Sequence, residues 1–386
     1  ANTAATVLHA VTVNATVAAT PRTVTVSTGG SLTFGASGSL PVSTTFTNGG
    51  SGVVMTSGGT LALSSGATFA NGLNTFTGGA GTVAFAGTGT ITGTVGFNNL
   101  TLNGATTIPT TITINGNLTF NSATASVSTA PTYGVSSNLI YAANVSRGGE
   151  WSTTSGAGYP VNVIVQNGGT LTASQSFDVG CSGNLQLGSS GSAGSLTMAS
   201  TGKILVSGNV TIGSNSGTST LTLSPANGGD IKVGGNWTRT ANGTFNPNAR
   251  ALFFTGSGTN VINSTSGASF DYLVSEKTGG SIQLNSNLTV NAPNTGNALS
   301  LKSGAGFDLN GYTLNLTNAA ASNIQADGTV YFTGTGTINF STSTKTFTQI
   351  NSGSFSFGSN VALTTATGVN FGSGLSTINV TFQINA

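Results

Sequence analysis

The side chains able to carry acid–base or nucleophilic chemistry are few and widely spaced. His9 is the only histidine and Cys181 the only cysteine in 386 residues. A Ser-His-Asp or Cys-His device needs a histidine to move the proton. His9 lies in the run Val7-Leu8-His9-Ala10-Val11, where an exposed strand residue is the expectation. A zinc centre built from Cys or His needs three or four such ligands, and this chain has one of each. Cys181, in Phe177-Asp178-Val179-Gly180-Cys181, reads as a small buried apolar residue. A single cysteine leaves no intrachain disulfide.

The carboxylates stand singly as Glu150, Asp178, Asp230, Asp271, Glu276, Asp308 and Asp327. Cleaving a glycosidic bond needs two carboxyl groups about 5–10 Å apart. Stacked repeats could bring distant ones together, but no Asp-Asp or Asp-x-Asp pair occurs. Asn227-Gly228-Gly229-Asp230 is one isolated fragment of a calcium-loop pattern, and a turn is the simpler reading. Gly87-Thr88-Gly89 is followed by Thr90-Ile91 and no helix, so the phosphate-binding helix N-terminus is missing. The expectation is no catalytic residue, no metal and no cofactor, with a polysaccharide-degrading enzyme as a remote alternative.

Composition points the same way. Charged residues make up 4 % of the chain, the formal net charge is +2 and the mean hydropathy is +0.18. That balance provides no basic surface for nucleic acid and no polybasic patch for anionic lipid. No apolar run approaches the ~20 residues of a membrane-spanning helix. The first residue is Ala1, with no basic-then-apolar leader, which reads as a mature, exported chain. The expected location is extracellular or on a cell surface.

The dominant pattern is an apolar pair at i and i+2, then a Gly, Ser or Asn cluster, then another pair. Examples are Leu61/Leu63, Leu185/Leu187, Ile204/Val206, Val210/Ile212, Leu221/Leu223, Ile282/Leu284 and Leu314/Leu316. Period two means strands with one buried face. The pairs recur roughly every ten residues, so two or three strands make a coil of roughly 20–30 residues, as in solenoids. Hairpins would need longer strands and paired two-residue turns. The predicted fold is all-β, a right-handed parallel β-helix (β-solenoid) of irregular short coils with essentially no α-helix. At ~4.8 Å per coil, some 15–19 coils would give a rod of roughly 70–90 Å.

Longer phrases recur on top of this. Phe85-Ala86-Gly87-Thr88-Gly89-Thr90-Ile91 returns as Phe254 to Asn260 and as Phe332 to Ile338. Gly234-Gly235-Asn236-Trp237-Thr238, Gly243-Thr244-Phe245-Asn246-Pro247 and Phe253-Phe254-Thr255-Gly256 resemble a module of large secreted bacterial surface proteins of the adhesin-like kind. A second module of that family is similar to Leu139-Ile140-Tyr141, Arg147-Gly148-Gly149-Glu150-Trp151 and Tyr159-Pro160-Val161-Asn162-Val163. Phe307-Asp308-Leu309-Asn310-Gly311-Tyr312-Thr313-Leu314 resembles a third. The resemblance covers roughly residues 83–340 and implies a parallel β-helix at a cell surface.

Three local features complete the expectations. Tyr133, Tyr141, Arg147, Glu150, Trp151 and Tyr159 concentrate within residues 128–162. Tyr, Trp and Arg carry most interface hot spots, so this stretch is expected to protrude. Its alternatives are an intersubunit or ligand contact and a long turn pinned to the coils. Thr-x-Thr pairs recur at Thr23/Thr25, Thr90/Thr92, Thr111/Thr113, Thr335/Thr337 and Thr344/Thr346. Aligned ranks of such pairs order water and bind ice. Here the intervals are irregular and Thr is a good outward strand residue anyway. Asn-x-Thr or Asn-x-Ser acceptors include Asn99, Asn117, Asn209, Asn236, Asn287, Asn315 and Asn379, most of them expected from composition.

The function expected from these features is structural. Residues 1–26 read as an N-terminal strand segment available for assembly, and 27–386 as the solenoid. Val7, Val11 and Val13 at one end and Ile378, Val380 and Phe382 at the other lie in apolar strands without charge. Two different pairing-competent ends make a heterologous, open-ended contact. The expected partner is the chain itself, head to tail, in an extracellular filament or surface layer. The alternative is a monomeric adhesin rod that binds surface glycans or other cells.

Overall fold

Short strands separated by tight turns can bury their apolar side chains only by stacking turn on turn, and the chain does so. The structure, a computed structural model, describes residues 3–72, 75–189, 191–213, 216–294, 296–302, 304–317, 322–340, 345–350, 354–365, 369–371 and 378–379. Among them there is no helix. The named strands pair in parallel, those inside each ladder with the strand one turn before and the strand one turn after. This is a β-solenoid of about 15 turns. The parallel all-β expectation is met.

The period-two pattern becomes an inside and an outside. Thr23–Val26, Ser31–Phe34, Ser39–Val42 and Thr45–Asn48 each alternate half-buried and buried residues. Val26, Phe34, Val42 and Phe46 have no solvent exposure. Repeating the arrangement turn after turn gives continuous ladders of like side chains. Phe46 and Phe69, one turn apart, have ring centroids 5.5 Å apart and nearly parallel planes.

Two compact units divide the chain. The first comprises Ala1–Thr172 and Val179–Ser182. One of its ladders runs Ala4–Val7, Thr23–Val26, Thr45–Asn48, Ala67–Asn71, Gly89–Thr92, Ala105–Thr107 and Ser126–Val127. A second runs Ala10–Val13, Ser31–Phe34, Gly52–Val54 and Phe76–Thr77. A third includes Thr82–Phe85, Val95–Leu102, Ile112–Phe120, Asn138–Tyr141 and Asn162–Val165. Residues 3–26 thus supply the first turn and open the second. Close stacking constrains the corners: Gly93 has φ of 83°, and a Cβ there would fall 1.8 Å from the Asn71 carbonyl oxygen. Only glycine fits.

The second unit, Ala173–Asp178 and Gly183–Ala386, follows the same rules. Leu185–Leu187, Val210–Ile212, Trp237–Arg239, Asn260–Ser264 and Ser281–Leu284 form one ladder. Ile204–Val206, Ile231–Val233, Ala251–Phe254 and Tyr272–Ser275 form another. Trp237, Phe245 and Phe270 pack edge to face inside it, with centroids 4.7–5.9 Å apart.

Candidate functional site

The densest cluster of ionisable and aromatic side chains lies where the sequence placed it, but it faces inward. Glu150, Trp151 and Tyr141 are essentially inaccessible to solvent. The Glu150 carboxylate accepts hydrogen bonds at Oε1 from the Tyr141 hydroxyl (2.8 Å) and the Gly148 backbone N–H (2.7 Å). Tyr133 donates its hydroxyl to the Glu150 carbonyl at 2.8 Å. Arg147 donates to the carbonyls of Gly148 and Trp151 at 2.7 and 2.6 Å. The Trp151 indole N–H reaches the Gly180 carbonyl at 2.7 Å.

Burial raises the Glu150 carboxyl above its ordinary range, against the pull of the Gly148 N–H. It raises the Tyr133 and Tyr141 hydroxyls well above theirs, with the Glu150 charge adding to the effect. The expected protruding contact is therefore corrected for Tyr141, Glu150 and Trp151. An aromatic ring gains more from the apolar interior than from water, and the buried carboxylate finds the Tyr141 hydroxyl and the Gly148 N–H inside the turn. The half-buried Tyr133 and Tyr159 do reach the surface. With Val135, Val161 and Ser182 they border a concavity of about 550 Å³.

Five of the remaining carboxylates hold turns together. Asp178 Oδ1 accepts from the Lys203 N–H at 2.9 Å, Asp230 Oδ1 from the Ala251 N–H at 2.9 Å and Asp271 Oδ2 from the Ala249 N–H at 2.7 Å. Asp308 accepts from the Gln283 amide at 2.7 Å and the Asn310 N–H at 3.0 Å. Glu276 pairs with Lys232 at 2.6 Å. Among the described residues no three His, Cys, Asp or Glu side chains converge. Cys181 is buried, and desolvation pushes its thiol up to about 12, which leaves it protonated and unreactive at neutral pH.

Lys277, a site that residue type and spacing did not signal, is 1 % exposed. Its ammonium donates to the Gly258 carbonyl and to Asn260 Oδ1, while Asn260 Nδ2 donates to the Gly234 and Gly235 carbonyls at 2.7 and 2.6 Å. Burial lowers its pKa. Lys277-Thr278-Gly279-Gly280 reads as a polar surface turn. The only signal was its distance, 17 residues, from Asn260, just under one turn. In the same unit a polar concavity of about 810 Å³ is bordered by Arg239, Asn263, Ser266, Asn285, Thr289 and Tyr312.

Most of the Asn-x-Thr asparagines act as latches between turns. Asn209 Oδ1 accepts from the Asn236 N–H at 2.7 Å, and Asn236 Oδ1 from the Val261 N–H at 2.8 Å. Asn117 Oδ1 accepts from Asn138 at 2.8 Å, Asn287 Oδ1 from the Thr313 N–H at 2.9 Å and Asn315 Oδ1 from Asn339 at 2.9 Å. Asn99 donates to the Ala80 and Gly81 carbonyls at 3.3 and 3.2 Å.

The expected assembly residues are far apart in the chain. Val7 pairs in register with Val26 and Val13 with Phe34; Val13 is buried and Val11 is 42 % exposed. Ile378 lies in a strand paired with Phe355–Phe357. Val380 and Phe382 fall outside the described residues.

No protein-family model, curated protein or solved structure matches this chain. It is a parallel β-solenoid.

Proposed function

We propose that the chain is a structural, non-catalytic element of an extracellular filament or surface layer, extended head to tail by strand addition at its first turn. The carrying observation is the state of that turn. Among the described residues, Ala4–Val7 is paired along one edge, with Thr23–Val26, and Ala10–Val13 along one edge, with Ser31–Phe34. Leu8 is 57 % and Val11 42 % exposed beside these edges. Unpaired backbone next to an apolar stack templates another strand in the same register. Sparse Lys and Arg also leave few tryptic sites, which suits an exposed location.

Electron microscopy of the purified chain tests this reading. Uniform filaments are expected, and Leu8→Lys with Val11→Lys should abolish them while leaving the chain folded. A wild-type protein that stays dispersed at high concentration, or a double variant that assembles as well as wild type, overturns it.

A second reading, an adhesin that contacts surface glycans, is favoured by the 810 Å³ concavity. Its amides, hydroxyls and the Tyr312 ring offer the polar anchors and the flat face a sugar needs. Binding on a glycan array, lost with Tyr312→Ala, would select it.

A further inference from the structure

The irregular intervals between Thr-x-Thr pairs disappear once the strands are stacked. In the seven-stranded ladder of the first unit, register pairing aligns Thr23 with Thr45, Thr45 with Thr68, Thr68 with Thr90 and Thr90 with Thr107. A second rank, two residues further along each strand, aligns Thr6, Thr25 and Thr47, continues through Ala70 and reaches Thr92. The intervals in the first rank are 22, 23, 22 and 17 residues, from the numbers of its five threonines. Turns of different length absorb the differences, and the strands keep one register. Both ranks point outward, because Val24, Phe46, Phe69 and Ile91 between them are buried.

We infer that this outer face binds ice. A parallel ladder repeats every ~4.8 Å across strands, and residues two apart on one strand are separated by ~6.6 Å. The array therefore has two nearly perpendicular periods, both close to oxygen repeats on faces of hexagonal ice. Each threonine offers one hydroxyl to hydrogen-bond a lattice water and one methyl around which waters close a cage. Its β-branch restricts χ1, so the array is ordered before it meets water, and little side-chain entropy is lost on adsorption.

Three observations separate this face from ordinary outward threonines. The nine hydroxyls of the two ranks make no side-chain hydrogen bond within the protein among the described residues. Elsewhere in the same unit outward polar groups bond one another, as Asn138 does to Asn117 and Asn162 to Asn138, at 2.8 and 3.0 Å. From Thr6 to Ser128 the chain contains no Asp, Glu or Lys, and Arg22 is its one Arg. An ionic group would hold water in a radial shell that cannot join a tetrahedral lattice. The face is also extended: the four steps from Thr23 to Thr107 span ~19 Å. A single water or small solute does not need such an area, but adhesion to a crystal does.

The test is thermal hysteresis and inhibition of ice recrystallisation by the full-length chain. The wild type is expected to shape ice crystals and halt their coarsening. Thr45→Tyr with Thr47→Tyr, placed in mid-array, should lose both effects while retaining the wild-type circular dichroism spectrum. Thr101→Tyr, at an outward position of a different ladder, should lose neither. If the tyrosine pair fails to fold, Thr45→Lys, whose long side chain extends into solvent from the same position, must show the loss. A wild-type chain without effect on ice overturns the inference. So do mid-array variants that remain fully active, or a Thr101→Tyr chain that loses as much as they do. Filament formation can fail or succeed without changing any of these outcomes.

Discussion

The Trp151 indole N–H donates to the Gly180 carbonyl 29 residues further along the chain, at 2.7 Å, with the ring fully buried. One side chain thus fills interior volume and satisfies a backbone acceptor that has no water to turn to. Trp151→Phe retains most of the apolar contact but leaves that carbonyl unpaired, at a cost of ~1–3 kcal/mol. Trp151→Ala also opens a cavity and should cost ~3–5 kcal/mol. Denaturant titration of the two variants should give them in that order, and equal losses would mean that the hydrogen bond contributes nothing.

Glu150 predicts a pH dependence with a defined sign. Its folded-state pKa is raised by desolvation, so the folded chain holds a proton that the unfolded chain gives up at ~4.3. The associated stability is full below that value and is lost as pH rises through the higher folded value. Asp271, also raised by desolvation, acts in the same direction. Thermal midpoints should therefore fall on leaving the acid range, and Glu150→Gln should flatten part of that fall. A slope unchanged by Glu150→Gln would remove Glu150 as its source.

Cys181 should resist alkylation. Its thiol is raised to about 12 by burial, and the thiolate is the reactive form. Iodoacetamide at neutral pH should label the chain only in denaturant. Rapid labelling of the native protein would place the thiol at the surface instead.

The asparagine latches should act independently along the stack. Asn236→Ala leaves the Val261 N–H without its acceptor, and Asn138→Ala removes the links to Asn117 and Asn162. Each should cost about 1 kcal/mol. The sites share no partner, so the double variant should lose the sum within ~0.5 kcal/mol. A marked excess in the double variant would reveal coupling along the stack.

The period-two pairs made the fold legible, because Leu185/Leu187 and Val210/Ile212 can bury two side chains and expose the one between only as strands. Stacking order was less legible. Nothing local in Thr68 or Thr107 records which residue stands beside it one turn away, since turn length varies while register does not. The region around Trp151 was visible by composition but its orientation was not. Glu150 and Arg147 signal a surface by type, and their satisfaction by the Gly148 N–H and the Gly148 and Trp151 carbonyls depends on a turn conformation that residue identity does not specify. Lys277 was missed for the same reason, its acceptors being one backbone carbonyl and an asparagine from the preceding turn.

Gly93 and the stacked corners like it have an implication for how such a chain changes over generations. Each turn bonds chiefly to the turns on either side, so the rules at one junction are repeated at the next. Duplicating or excising a whole stretch between register partners, such as Thr45 to Thr68, joins strands that already match. Length can then vary by recombination in steps of one turn, and point mutation need only adjust the seam. A corner glycine carries the opposite burden: its replacement disturbs two neighbouring turns at once, so drift should be slowest at the corners and fastest on the outward strand positions.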